Sequence, residues 1–141
     1  MKFSPKSCIL KSDKSVLIRV PKFEEAQQLL DLKRDYIKNT STIPMHLEEY
    51  PNDIDKESSL IAAYDESPNS ILLVAEFGNQ LIGNIDLIGS KKSKMSHTAM
   101  LGMGIKKDWR NQGLGKHLIE AVIAWAKEKS ELEIIYLDVY A

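Results

Sequence analysis

The sequence predicts a mixed α/β (α+β) fold, in which a mostly antiparallel sheet carries helices on both faces. Two apolar runs, ILLVAEF and LIGNIDLIG, flank the polar stretch GNQ, an arrangement typical of a β-hairpin. Amphipathic helical patterns stand before and after this hairpin. The order is one strand, two helices, three antiparallel strands, one helix and one strand, which indicates a single sheet covered on both sides.

Four segments precede the hairpin. The run VLIRV at 16–20 is rich in β-forming residues and ends at a proline, so we predict the first strand there. Residues 21–37 predict a helix, because a proline opens them and acidic residues occupy the first turn. Residues 38–53, with their prolines and hydroxyl side chains, predict a loop, and residues 53–66 predict a second helix that begins with an aspartate.

The hairpin and the segments after it complete the predicted sheet. The predicted elements are strands at 70–77, 81–89 and 96–105, a helix at 113–129 and a last strand at 132–141. Gly102 and Gly104 fall inside the third of these strands. Glycine is disfavoured there, so the pair predicts a bulge or a group that lies against the backbone.

The length and composition describe one ordinary domain. The chain has 141 residues, of which 43% are hydrophobic and 28% charged, enough for a substantial core. We assign the domain to residues 16–141. Residues 1–15 are polar and weakly patterned, and they predict an N-terminal arm whose short apolar stretch at 8–10 docks on the domain.

Charge, cysteine content and hydropathy exclude several classes of function. A net charge of −1 provides no basic field for nucleic acid or an anionic membrane surface. Cys8 is the single cysteine and cannot form an internal disulfide, which favours a cytoplasmic protein. The apolar runs are too short to span a bilayer, and the N-terminus has no apolar core of a signal peptide.

The segment before the last helix, residues 110–116 (RNQGLGK), has the chemistry of an anion-binding turn, and we name it the glycine turn. A helix N-terminus presents unpaired N–H groups and the positive end of its dipole. Gly113 and Gly115 remove side chains that would keep a phosphate away. The alternative is a capped helix whose glycines merely permit a tight turn.

Two other phosphate-binding motifs do not fit the glycine turn. A P-loop requires a hydroxyl residue after Gly-Lys, and His117 stands at that position. The dinucleotide-binding pattern G-x-G-x-x-G lacks its third glycine in GLGKHL, and the preceding hairpin is the wrong topology for that fold.

The wider context resembles motif A of the GNAT superfamily of N-acetyltransferases. In LGMGIKKDWRNQGLGKHLI a glycine-interrupted strand leads through R-x-x-G-x-G into an amphipathic helix, with Arg110, Gly113 and Gly115 at the signature positions. LLVAEFGNQLIGNIDLIG is similar to the second and third strands of that family, and LIRVPKFEEAQQLLDL to its first strand and helix. The resemblance extends over nearly the whole chain from Val16.

The resemblance implies acetyl-CoA as the cosubstrate. In this family the pyrophosphate binds backbone amides of the turn, and the pantetheine arm lies along the preceding strand, whose amide near Met103 polarises the thioester carbonyl. The implied cofactor-binding residues are Met103, Ile105, Arg110, Asn111, Gln112, Gly113, Leu114, Gly115 and Lys116. A metal site is not expected, because the three histidines are far apart without ligand spacing.

The chain departs from the family at the catalytic groups. Many members carry a glutamate on the fourth strand, but the matching HTAMLG has no carboxylate. Asp86 and His97 are the candidate catalytic bases, with Glu76 as a further carboxylate on a strand. Many members also use a tyrosine on a helix after the fifth strand as a general acid, and this sequence contains no such helix.

These observations predict an acetyl-CoA-dependent N-acetyltransferase acting on a primary amine, either a small molecule or a peptide or protein amine. The alternative is a non-catalytic acyl-CoA-binding or interaction module on the same fold. The last strand, EIIYLDVYA, has apolar residues on both faces. Without the family's C-terminal helix and last strands, it predicts either a fragment of a longer protein or a homodimer formed through this strand.

Overall fold

The computed structural model describes residues 2–38, 52–89, 98–129 and 132–137. Its strands are β1 (Lys6–Ile9), β2 (Ser15–Arg19), β3 (Ile71–Phe77), β4 (Gln80–Gly89), β5 (Thr98–Ile105) and β6 (Ile134–Leu137). Its α-helices are α1 (Ala26–Lys38), α2 (Ile54–Glu66) and α3 (Leu114–Lys129). Single turns of 3-10 helix at Phe23–Glu25 and Lys107–Trp109 precede α1 and α3.

The six strands form one sheet in chain order, from β1 to β6. Neighbours from β1 to β5 pair antiparallel, and β6 pairs parallel to β5. The predicted mixed, mostly antiparallel sheet is therefore confirmed. Because α3 connects β5 to a parallel neighbour, it crosses one face of the sheet, and the glycine turn lies at the start of this crossover.

Helices cover both faces of the sheet, as the sequence predicts. Leu73 belongs to the apolar core that contains the α3 side chains Leu118 and Val122. Its neighbours Leu72 and Val74 belong to a second core with residues of α1 and α2. Successive strand side chains point to opposite faces, so α3 lies on one side and α1 with α2 on the other. This explains why β3 is a continuous apolar run.

The N-terminal arm contains a strand that the sequence analysis does not predict. β1 pairs with β2, with Cys8 opposite Val16. Cys8 and Leu10 are buried, whereas Ile9 is 66% exposed, because alternate strand residues face opposite sides. The docking predicted for residues 8–10 is thus right for two of them and wrong for Ile9.

The other predicted elements agree with the structure except at their ends. The predicted helix at 21–37 begins with a 3-10 turn at Phe23–Glu25, and the side chain of Phe23 is 55% exposed. Asp53 caps α2 as predicted, since its Oδ1 accepts from the N–H groups of Asp55 at 3.0 Å and Lys56 at 3.3 Å. Most of the predicted loop at 38–53 and the end of the last strand lie outside the described residues.

Candidate functional site

Two residues with positive φ shape the glycine turn. Asn111 has φ +63° and Gly113 has φ +88°. Only glycine adopts this region readily, and asparagine tolerates it better than most other residues. Helix α3 begins at Leu114, and the N–H of His117 donates to the Gly113 carbonyl at 3.3 Å. The N–H groups of residues 114–116 are therefore the first-turn donors that lack an acceptor within the helix.

The polar side chains of the turn hold it in shape. Nε of Arg110 donates to the carbonyl of Ile105 at 3.0 Å, which ties the turn to the end of β5. Nε2 of Gln112 donates to the carbonyl of Asp108 at 3.1 Å. Its Oε1 accepts from the Ser12 hydroxyl at 2.6 Å. Backbone groups rather than the Gln112 amide are thus the donors that the turn offers to an anion.

Glycine is needed at the two positions of the signature for different steric reasons. Gly113 requires its positive φ, and a Cβ there would be 3.9 Å from the nearest atoms, which belong to Lys11. A Cβ on Gly115 would face β5 instead, 3.3 Å from Cε of Met103 and 3.6 Å from Cδ1 of Ile105. Gly115 thus permits the first turn of α3 to pack closely on β5, which differs from the phosphate access inferred from the sequence.

The edge of β5 near the turn is open on one side. The N–H of Lys106 donates to the Ile82 carbonyl at 2.9 Å, so in this antiparallel pair the alternate residues of β5 turn their polar backbone groups away from β4. These residues include Met103 and Ile105. In the described part of the chain, the ladder with β6 ends at Leu101. Met103 therefore lies beyond that ladder, whereas the Ile105 carbonyl already has Arg110 as a donor.

Gly102 and Gly104 permit close contacts with the chain's own side chains. A Cβ on Gly102 would be 2.6 Å from Oδ1 of Asp86, and a Cβ on Gly104 would overlap the ring of Tyr36. The register between β4 and β5 runs without a shift at these positions. Of the two alternatives that the sequence leaves open, close approach is thus correct and a bulge is not.

A polar cluster lies on this α1/α2 face of the sheet. The hydroxyl of Tyr64 on α2 donates to Oδ2 of Asp86 on β4. Burial raises the pKa of Asp86 above its ordinary value of 3.8, although Tyr64 and the charge of Lys33 act in the opposite direction. Nζ of Lys33 in turn lies 3.3 Å from Oε2 of Glu57, and both side chains are buried.

Two more polar side chains face Asp86 in this cluster. The pKa of Tyr36 is raised, mainly by burial and to a smaller extent by the charge of Asp86. Oδ1 of Asn84 is buried and has no hydrogen-bond partner among the described residues. An unsatisfied buried acceptor of this kind is uncommon in folded proteins.

The predicted site residues fall into two groups. The glycine turn, Met103 and Ile105 lie together on the α3 side, whereas Asp86 lies on the opposite face with Tyr64. Glu76 is engaged in an ion pair with Arg19 at 3.2 Å, and Arg19 also binds Glu25 at 2.7 Å. His97 lies outside the described residues.

Three residues near these groups, Tyr36, Tyr64 and Lys11, are not indicated by the sequence pattern. Both tyrosines lie within the apolar pattern of a helix, which predicts burial but not the partner. The backbone N–H of Lys11 donates to the Gln112 carbonyl at 2.9 Å, a contact that no local pattern indicates. Among the described residues, no group of three or more His, Cys, Asp or Glu side chains is arranged to bind a metal. No helix in the same part of the chain has the length and apolarity needed to cross a membrane.

Known structures share this fold. The acetyltransferase of the GNAT family from Streptococcus pneumoniae matches with a TM-score of 0.84 and 22% identity over 88% of this chain and 74% of that one. The structure of yncA from Salmonella typhimurium, with its cofactor acetyl-CoA, matches with a TM-score of 0.75 and 14% identity over 88% of this chain and 69% of that one. The PaiA N-acetyltransferase from Thermoplasma acidophilum, in complex with coenzyme A, matches with a TM-score of 0.66 and 21% identity over 86% of this chain and 78% of that one. At these identities the likeness establishes the fold alone.

The sequence comparison supplies the family. A comparison with curated proteins found no match to the chain. Residues 31–141, more than three quarters of the sequence, match the acetyltransferase (GNAT) family. The chain therefore belongs to the GNAT family of acetyltransferases.

Proposed function

We propose that this protein is an acetyl-CoA-dependent N-acetyltransferase that acts on a primary amine. The observation that carries the proposal is the glycine turn, whose positive-φ residues lead into three amides at the start of α3 that lack helical acceptors. Membership of the acetyltransferase family supports acetyl transfer. The neighbours described with acetyl-CoA and with coenzyme A support this donor.

In the proposed complex, the pyrophosphate accepts hydrogen bonds from the backbone of residues 112–116. Arg110 and Asn111 give the turn its shape, one through its bond to the Ile105 carbonyl and the other through its positive φ. The pantetheine arm then follows the open edge of β5 at Met103 and Ile105. This arrangement uses the edge like an added strand, in which main-chain hydrogen bonds supply affinity.

The proposed reaction is direct attack of a neutral amine on the thioester. A bond forms between nitrogen and the carbonyl carbon, the carbon–sulfur bond breaks, and coenzyme A leaves with the electron pair on sulfur. A base accepts the proton that the amine loses. Asp86 is the candidate among the described residues, because its Oδ1 would lie 2.6 Å from a Cβ on Gly102, the neighbour of Met103, and because burial raises the pKa of its carboxyl. His97 remains the other candidate.

An assay of coenzyme A release tests this function. The protein is incubated with acetyl-CoA and separate panels of small amines, lysine peptides and peptides with free N-termini, and free thiol and acetylated product are both measured. We expect thiol release that depends on one class of amine, with an equal amount of acetylated product. Release that is the same with and without every amine would contradict the proposal.

The second candidate function is a non-catalytic acyl-CoA-binding or interaction module. The observation that favours it is the absence of any carboxylate between Thr98 and Ile105, the described residues of β5. Such a module would bind acetyl-CoA in calorimetry but turn over no amine.

The remaining expectations concern location and assembly. We propose a cytoplasmic protein, since its one cysteine is buried and unpaired. β6 is an edge of the described sheet, and pairing of this strand with a second copy stays a prediction that sedimentation equilibrium can test.

A further inference from the structure

We propose that the turn between β1 and β2 forms part of the cofactor site, with the ammonium group of Lys11 bound to the pyrophosphate of coenzyme A. This inference rests on the proposed function, since it takes the ligand of the glycine turn to be coenzyme A. It adds a contact from the far end of the chain, outside R-x-x-G-x-G.

The β1–β2 turn is held in one shape by its own hydrogen bonds. The N–H of Leu10 donates to the carbonyl of Lys14, and the N–H of Asp13 donates to the carbonyl of Leu10, both at 2.9 Å. Asp13 has φ +66°, a conformation that aspartate tolerates better than most residues. Lys11 therefore projects from a defined turn.

Two further bonds fix this turn against the glycine turn. The N–H of Lys11 donates to the Gln112 carbonyl at 2.9 Å, and the Ser12 hydroxyl donates to Oε1 of Gln112 at 2.6 Å. Both bonds reach the residue immediately before Gly113. The backbone of Lys11 is thus anchored next to the amides that open α3.

The side chain of Lys11 runs past Gly113. Its Cγ and Cε are the nearest atoms to the position that a Cβ of Gly113 would take, both at 3.9 Å. Nζ is one bond beyond Cε, and the first unpaired amide belongs to Leu114, the next residue. An anion on these amides therefore lies within reach of the ammonium group. Lys11 is exposed and forms no ion pair with the carboxylates in the described parts of the chain.

The neighbouring Lys14 has a different partner. Its Nζ lies 4.9 Å from the centre of the Trp109 ring and 5.7 Å from that of Phe77, and these two rings contact each other with centres 4.8 Å apart. This cation–π contact holds Lys14 on the aromatic pair. Lys11 is therefore the lysine of this turn that the geometry assigns to a phosphate.

Calorimetric titration of coenzyme A tests the assignment with a matched control. Lys11→Met removes the charge and keeps most of the length of the side chain. Lys6→Met makes the same change on β1, at the opposite end of the hairpin, where Lys6 pairs with Ile18. We expect Lys11→Met to weaken binding about two- to fivefold at low salt, the range of an exposed charge pair, while Lys6→Met binds like the wild type. High salt should reduce the difference, because it screens the interaction.

A second titration with 3′-dephospho-coenzyme A locates the contact. The same loss with this ligand supports a contact with the pyrophosphate, and a loss that disappears without the 3′-phosphate contradicts the assignment. Equal affinity of wild type and Lys11→Met for coenzyme A would also overturn it. If the wild type itself fails to bind coenzyme A, the proposed function fails instead, so the two failures are distinct.

Discussion

The ring of Tyr36 occupies the space that a side chain on Gly104 would need. Helix α1 can therefore lie close to β5 only because that strand position has no Cβ. Asp86 has the same relationship to Gly102, the next glycine on this face. The glycines of β5 thus serve the packing of the α1/α2 face, whereas Gly113 serves the conformation of the glycine turn.

Gly104→Ala should destabilise the fold. The added methyl group would overlap the Tyr36 ring, and overpacking in a core typically costs about 1–3 kcal/mol. Gly115→Ala is the control, because its Cβ would meet the flexible end of Met103 and alanine favours the helix. Chemical denaturation should give a clear loss of stability for the first variant and almost none for the second. Equal losses would contradict this explanation of Gly104.

Asp86→Asn should stabilise the protein at neutral pH. Burial raises the pKa of Asp86 in the folded state above its ordinary value of 3.8, so the folded chain holds this proton more tightly than the unfolded chain. The resulting stabilisation is fully present below pH 3.8 and is lost as the pH rises through the raised pKa. The variant avoids this loss and should exceed the wild type at pH 7 but not below pH 3.8.

The control for this experiment is Asp31→Asn, which removes the same charge from an exposed position on α1. Its stability relative to the wild type should show no comparable gain at pH 7. An Asp86→Asn variant that is less stable than the wild type at both pH values would show that the charged carboxylate is a net stabilising group.

The pH dependence of the reaction tests Asp86 as the base. A base must be deprotonated, so kcat/KM should fall as the pH decreases through the raised pKa of Asp86. Asp86→Asn should lower kcat by about a hundredfold and abolish this acidic limb of the pH–rate profile. Tyr64→Phe removes a hydrogen bond that lowers the pKa of Asp86, so the limb should move to higher pH. An unchanged profile in Asp86→Asn would exclude Asp86 and leave His97 to be tested.

Local patterns in the sequence were sufficient for most of the fold. The hairpin β3–β4 and helix α3 have strong apolar periodicity and clear turn residues, and both lie where predicted. β1 was missed because KSCI is only four residues long and two of them are polar, and its pairing with β2 supplies the stability that its own sequence does not. Edge strands of this kind depend on a partner strand rather than on propensity.

The candidate site was predictable only in part, for a related reason. The glycine turn is continuous in sequence, so its residues are together in any fold. Asp86 and Tyr64 are 22 residues apart, and Ser12 and Gln112 are 100 apart. Such contacts follow from how the helices and the first hairpin pack on the sheet, which residue spacing does not reveal.

The central claim is that the conformation of the glycine turn creates the coenzyme A site, and Gly113→Val tests it most directly. Gly78 at the β3–β4 turn is the matched control, since its φ is +62° and no atom lies within 4 Å of an added Cβ. A branched side chain is strained at either position, so both Val variants should lose about 1–2 kcal/mol of stability.

The decisive measurement is the calorimetric dissociation constant of coenzyme A for the wild type, Gly113→Val and Gly78→Val. We expect Gly113→Val to bind about tenfold or more weakly, because the rearranged turn no longer directs its amides at the pyrophosphate. Gly78→Val should bind like the wild type. Unchanged affinity in a folded Gly113→Val protein, or an equal loss in both variants, would contradict the account.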